Sequence, residues 1–395
     1  IRAVGSVNDA LPEETLGEVR FQPYREARFQ LGYPKQINVS RELLDRHLSH
    51  GHGDHPAIRF HGQTLTYGAL AKRVNRLANA LAHHGVKPGN RVLIHLPNIP
   101  EFIESWLATL RIGAIAVATM PMLKQREMLQ IAADTEPSCL ITTLELSSVF
   151  AKCDVSPKLQ LLTGADIGGD LAYEKYVAMG NDVHHPVSTT EDDLALIAYT
   201  SGSTGRQKGT LHTHSDVLAI ADTYANGILA PAPADRFAAH SPMAFTYGLG
   251  AILVFPLRFG ASTVIDPSPF DPGRWLDMIR REEVTRYFTT PTAGRLCLEE
   301  LSCHRRATWG SVRTVVSAGE PLTKSTFDEW REATGIEILD GCGSTEMLHI
   351  WISQRRGESV GGCTGRPVPL YEARLVDDNG QEIREKEAEG VVALR

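Results

Sequence analysis

Several large protein classes are excluded by what this sequence has little of. Its six cysteines (Cys139, Cys153, Cys297, Cys303, Cys342 and Cys363) are thinly spread over 395 residues, and none forms a CxxC pair. Their spacing suits neither a disulfide framework nor a zinc site, and reduced thiols in a cytoplasmic protein are the simplest reading. No apolar run approaches the roughly 20 residues that a helix needs to span a bilayer. The opening IRAVGSVNDALPEE lacks the apolar core of a signal peptide. It also lacks an initiator methionine, so a portion of a longer polypeptide is expected. There is no basic excess: the net charge is −7, and nothing draws the whole chain to nucleic acid or to an anionic membrane. Internal repeats and low-complexity tracts are absent as well.

What is present is a globular composition, with 42% hydrophobic and 22% charged residues. At this length the chain should divide into two or three packed units. The pattern becomes regular from about residue 58. AIRFHG reads as a strand. Thr66 can cap a helix that carries Leu70, Val74, Leu77, Ala78 and Leu81 at helical spacing and stops at Gly85. RVLIHL is a buried strand, Pro100 opens a helix with Phe102, Trp106 and Leu110 inside, and AIAVAT is a strand again. This alternation predicts parallel βαβ units with helices on both faces. After a break near 155–190, LALIAYT, RFAAHSPM, ASTVIDP, RYFTT and TVVSAGE add strands. GRPVPLYEARLVDDNGQEI then alternates as strand around a DNG turn. The expected division is an N-terminal arm over 1–36, α/β units over 37–185 and 186–360, and part of a small β unit over 361–395. The fold class is α/β: two stacked, doubly wound βαβ units plus a small β-barrel-like unit.

YTSGSTGRQKG (199–209) follows a buried strand, where α/β sheets bind ligands. Gly202, Gly205 and Gly209 allow tight turning and close approach. Successive N–H groups form an anion nest, the hydroxyls of Ser201, Ser203 and Thr204 add donors, and Lys208 adds a mobile cation. A solvated Gly/Ser loop is the alternative, and the preceding strand and the internal lysine favour phosphate binding. Walker A and GxGxxG spacings both fail here.

The motif resembles the phosphate loop of the adenylate-forming superfamily, which includes acyl- and aryl-CoA synthetases, luciferases and peptide-synthetase adenylation domains. SPMAFTYGLG (241–250), SAGEPL (317–322), DGCGSTEM (340–347) and TGRPVPLYEARLVD (364–377) resemble that family's later motifs, in order. ILDGCGSTEMLHIWIS is most similar to benzoate-type CoA ligases. VATMPMLKQREM and YPKQINVSRELLDRH look closest to 2-aminobenzoate (anthranilate) CoA ligases. The resemblance implies ATP and Mg2+, an aryl carboxylate substrate, and coenzyme A or a carrier-protein thiol as acceptor.

Carried over residue by residue, the resemblance gives the stretch from Thr200 to Lys208 to the β- and γ-phosphates. Thr345 is expected on the α-phosphate and Glu346 on Mg2+, with an ordinary surface glutamate as the plain alternative for Glu346. Gly319, Glu320 and Pro321 should frame adenine mainly through backbone, with Asp340, Gly341, Cys342, Gly343 and Ser344 across from them. The family usually has an aromatic residue where Cys342 stands. A thiol cannot stack on adenine, and Cys342 reads as a packing residue, not a nucleophile. Phe245, Thr246, Tyr247, Gly248, Ala318, Gly343, Leu348 and His349 should line the aryl pocket, the glycines leaving room for a flat ring. His349 is a candidate partner for a ring substituent such as an ortho amine. For both His349 and Tyr247 the alternative is plain core packing.

The family's smaller C-terminal domain carries a ribose-binding aspartate, a hinge acid and a lysine on the reacting carboxylate. None has a match before EGVVALR, so a chain that binds ATP and aryl acid but turns over slowly is expected. HLSHGHGDH, with His47, His50, His52 and His55, reads as a solvated loop without strict metal-ligand spacing. Arg355 and Arg356 read as a solvated basic pair.

Overall fold

Alternation along single strands decides how this chain layers. In Arg91–His95, Val92 and Ile94 point into one core and Leu93 into another, because successive side chains leave opposite faces of a sheet. The computed structural model describes residues 31–150, 157–164, 171–201, 207–304, 309–377, 379–385 and 388–394.

Among these residues a six-stranded sheet runs Leu159–Thr163, Cys139–Thr143, Arg91–His95, Ile115–Ala118, Leu194–Ser201, Gln207–Thr213. The first five strands are parallel, and the last pairs antiparallel as the return arm of a hairpin. A nine-stranded sheet has six parallel strands at its centre: Ile338–Gly343, Thr314–Ser317, Arg286–Thr289, Arg236–Ala239, Ser262–Ile265 and Pro56–Phe60. Gln63–Thr66 flanks them antiparallel on one side, and Ile350–Ser353 with Arg366–Pro367 on the other. Ala373–Val376 and Val391–Leu394 form a separate antiparallel pair.

One apolar core fills the space between the two large sheets. It joins Ile94, Ala116 and Ala198 of the first to Phe237, Phe288, Val316 and Leu339 of the second, with helices Tyr67–His83 and Pro100–Arg111 in the same core. The outer face of the first sheet is covered by Gln125–Thr135 through Met128 and Ile131. Pro272–Arg281 and Lys324–Thr334 cover the second, with Trp275, Trp309 and Trp330 against Tyr287 and Val315. Caps fall where the sequence places them. Thr66 Oγ1 accepts from Ala69 N at 3.2 Å, and Gly85 has φ +83° beyond the helix end.

Three features differ from expectation. The sheets interleave along the chain. Strands 56–66 join the nine-stranded sheet, and 194–213 complete the six-stranded one, so 37–185 and 186–360 do not each correspond to one sheet. Strand periodicity reports burial, not which neighbour a strand pairs with. HLSHGHGDH is not wholly a solvated loop. Arg46–Ser49 is helical, and His47 is buried with Nε2 2.6 Å from the Leu257 carbonyl. Arg355 is likewise half-buried, donating to the Ser353 and Pro367 carbonyls at 2.8 and 2.6 Å. No helix among the described residues is long and apolar enough to cross a membrane.

Candidate active site

The hairpin Leu194–Ser201/Gln207–Thr213 presents the first group of candidates. Its last cross-strand pairs are Thr200 with Lys208 and Ser201 with Gln207. Thr200 is half-buried and Lys208 exposed. Gly202, Ser203, Thr204 and Gly205, and the side chain of Ser201, lie outside the described residues. The two arms that lead to them each make a close contact near their ends. On one, the Tyr199 hydroxyl donates to Asp134 of the covering helix. On the other, Gly209 lies opposite Tyr199, where a Cβ would fall 3.2 Å from the Tyr199 ring.

Thr345 and Glu346 sit in the turn joining Ile338–Gly343 to Ile350–Ser353, which are irregularly paired between Cys342 and Gly343. Leu348 N donates to Thr345 O at 3.0 Å, and Met347 N to Ser344 Oγ at 3.4 Å. Leu348 itself adopts φ +64°, rare for a branched residue and sustained here by burial. Thr345 is buried and Glu346 exposed. His212, on the return arm of the hairpin, reaches this turn. Burial lowers its pKa, and the Asp216 carboxylate, the Thr345 backbone and the Glu346 carboxylate pull the other way. The Lys208 arm and the Thr345–Glu346 turn are thus neighbours, although they belong to different sheets.

The candidates for the nucleotide base line the ends of adjacent parallel strands. Gly319 takes φ +89° just after Thr314–Ser317, and the buried Ala318 donates its N–H to Thr289 O at 3.3 Å. Glu320 and Pro321 are exposed. The Glu320 carboxylate is tied back, accepting from Thr292 Oγ1 at 2.6 Å and Thr292 N at 3.2 Å. Asp340 is buried, and one carboxyl oxygen has no partner among the described residues. Burial pushes its pKa up to about 6, against hydrogen bonds from Thr364 and the Gly341 N–H. Gly341 is buried against Ile350, whose Cδ1 would lie 2.8 Å from an added Cβ. Cys342 is exposed and so is not a packing residue. Burial of its thiol and the nearby Asp340 raise its pKa, which disfavours the thiolate a nucleophile needs.

Of the ring-site candidates, Tyr247 and Gly343 lie against His349, which is 3% exposed. Its ring lies 5.4 Å from Tyr247 and Tyr224 and 4.6 Å from Phe255, centre to centre. Nε2 is 3.2 Å from the Tyr247 carbonyl, an acceptor only, so this nitrogen carries the proton. Nδ1 is then a lone-pair acceptor, and it has no partner among the described residues. Burial holds the ring neutral, with its pKa pushed down to about 3. The Tyr247 hydroxyl reaches Thr289 O and Val316 O at 3.0 and 3.2 Å. Thr246, Gly248 and Leu348 are buried, whereas Phe245 is 39% exposed.

The glycines here serve close backbone approach. A Cβ at Gly248 would meet Pro242 O at 2.1 Å, one at Gly343 would meet His349 O at 2.6 Å, and one at Gly250 would meet His349 Cδ2 at 2.3 Å. Gly250, Tyr199, Asp134 and His212 are the neighbours that sequence reading missed. Gly250 and Tyr199 stand inside quoted motifs, but nothing along the chain signals Asp134 or His212.

The Lys208 arm of the hairpin lies near the turn that carries the exposed Glu346, and the strand ends at Ala318 and Asp340 and the aromatic cluster around His349 belong to the neighbouring sheet and its connections. A model of the AMP-binding enzyme family matches residues 45–395. The 3-hydroxybenzoate–CoA ligase of Aromatoleum sp. (strain CIB) is 32% identical over 362 residues, which are 91% of this chain and 69% of that protein. The benzoate–CoA ligase of Thauera aromatica is 33% identical over 352 residues, 89% of this chain and 67% of that protein. The crystal structure of the anthranilate CoA ligase AuaEII with anthranoyl-AMP superposes with a TM-score of 0.86 at 30% identity. The match covers 92% of this chain and 71% of that one. The chain therefore belongs to the AMP-binding enzyme family, and it keeps company there with aryl-acid–CoA ligases.

Proposed function

We propose that this protein activates an aryl carboxylic acid, 2-aminobenzoate first among them, and passes it to coenzyme A. In the first half-reaction a carboxylate oxygen attacks the α-phosphorus of ATP. The bond to the bridging oxygen breaks, and the aryl-adenylate and pyrophosphate result. In the second, the coenzyme A thiol adds to the acyl carbon, loses its proton, and expels AMP to leave the thioester.

The catalytic demand is to neutralise phosphate charge with donors already in place. Lys208 beside the 200–205 stretch would serve the β- and γ-phosphates, and Thr345 the α-phosphate. Gly319–Pro321 and Asp340–Ser344 would frame the nucleotide base. Both Lys208 and Glu346 are exposed, without an ion-pair partner among the described residues, so both charges are available to a ligand. Glu346, a hard oxygen donor, fits Mg2+. When bound, the ion would screen the phosphate oxygens during attack.

The choice of 2-aminobenzoate rests on one observation, the unpartnered acceptor Nδ1 of neutral His349 among aromatic rings. An ortho amine donates to such a nitrogen, and unsubstituted benzoate cannot. A hydroxybenzoate, which can also donate, is the second reading. Steady-state rates with 2-amino-, 2-hydroxy-, 3-hydroxy- and unsubstituted benzoates test this. The 2-amino acid should have the highest kcat/KM, and equal values for benzoate would overturn the assignment.

A further inference from the structure

The phosphate hairpin is braced from outside the site. Tyr199 lies two residues before Ser201 and one before Thr200, and its hydroxyl donates to a carboxylate oxygen of Asp134. Asp134 belongs to Gln125–Thr135, the helix that covers the outer face of the six-stranded sheet. Across the hairpin, Tyr199 is registered with Gly209. A Cβ there would stand 2.9 Å from Ile197 Cγ2 and 3.2 Å from Tyr199 Cζ, so glycine is what lets the ring lie over the return arm. Lys208 is the next residue on that arm, opposite Thr200. Burial and the hydrogen bond to Asp134 keep the phenol protonated and donating. The ring thus lies against both arms of the hairpin two rungs back from the last pair, and one hydrogen bond fastens it to the covering helix.

We propose that Tyr199, held by Asp134, is a positioning residue for ATP: it fixes the direction in which the hairpin presents Lys208 to the phosphates. The proposal rests on reading the hairpin as a phosphate cradle. It separates ATP binding from aryl-acid binding, because the ring site is built on the other sheet around His349.

Isothermal titration of the protein with MgATP, and separately with 2-aminobenzoate, tests it. Tyr199→Phe keeps the ring and loses the hydrogen bond. It should weaken MgATP roughly tenfold, the scale of one charge-assisted hydrogen bond, and leave 2-aminobenzoate within about twofold. Asp134→Ala should match it, and the double variant should be no weaker than either single one. Asp134→Asn keeps an acceptor oxygen and should recover most of the affinity. Tm should move little in Tyr199→Phe, which separates positioning from general loosening. Wild-type affinity for MgATP in Tyr199→Phe, or equal losses for both ligands, would overturn the proposal. Lys208→Ala is the control for the underlying reading. If it also leaves MgATP binding unchanged, or if the wild-type protein binds no MgATP, the phosphate cradle fails and the positioning role with it.

Discussion

At the scale of single residues, charge and tautomer separate the roles. Glu346 is exposed on a turn whose neighbour Thr345 is buried, and its replacement tests metal binding without disturbing a core. Glu346→Ala should lower Mg2+-dependent ATP–pyrophosphate exchange by tenfold or more, roughly the loss of one ligand charge, with the KM for the aryl acid unchanged. His349→Leu removes the acceptor from a buried aromatic cluster. The ratio of kcat/KM for 2-aminobenzoate over benzoate should fall about tenfold or more, because a site built to pair a polar group loses its discrimination. Asp340 allows a signed pH test. Its folded pKa, about 6, lies above the ordinary carboxylate range, so the folded state holds the extra proton. Stability from this group is present at low pH and is lost as pH rises through about 4 to 6. Asp340→Asn should therefore raise Tm at pH 7.5 and lose that advantage near pH 4.5. The candidates at this scale were legible from sequence as candidates. Lys208, Thr345, Glu346 and His349 stand in contiguous motifs whose chemistry shows in their residue types. The neutral state of His349 and the tie between Glu320 and Thr292 were not, since both depend on neighbours distant in sequence.

Elements carry the precision of the site. The turn between Ile338–Gly343 and Ile350–Ser353 is shaped by a left-handed leucine and by Gly343, pressed against the His349 carbonyl, and Gly248 is pressed likewise against Pro242 O. Gly248→Ala places a methyl group against Pro242 O and should cost about 1–3 kcal/mol or more in chemical denaturation, with a loss of activity larger than the loss of stability. Helix Tyr67–His83 was readable to its cap because capping and periodicity are local. The pairing of Pro56–Phe60 with Ser262–Ile265 was not, because about two hundred residues separate strands that neither length nor composition marks as partners. The return arm Gln207–Thr213 was hidden for another reason. Its glycine and lysine read as loop, and it becomes a strand by pairing with Leu194–Ser201.

Over the whole molecule, buried neutral histidines set the acid limit. Burial pushes His95 and His240 down to about 4, and His214 and His349 to about 3. The unfolded chain takes up these protons below about pH 6.5 and the folded chain does not. Stability should fall steadily from pH 6.5 to 4.5, with Asp340 opposing the trend weakly. A Tm independent of pH across that range would contradict the burial described. The apolar core shared by both sheets makes the two a single support, and the candidate site sits where their strand ends meet. On the function proposed, this meeting place joins an aryl carboxylate to the α-phosphate of ATP. Aryl-acid-dependent ATP–pyrophosphate exchange measures that step alone. The expected result is exchange that requires Mg2+ and is fastest with 2-aminobenzoate; no exchange with any aryl acid would contradict the proposed function.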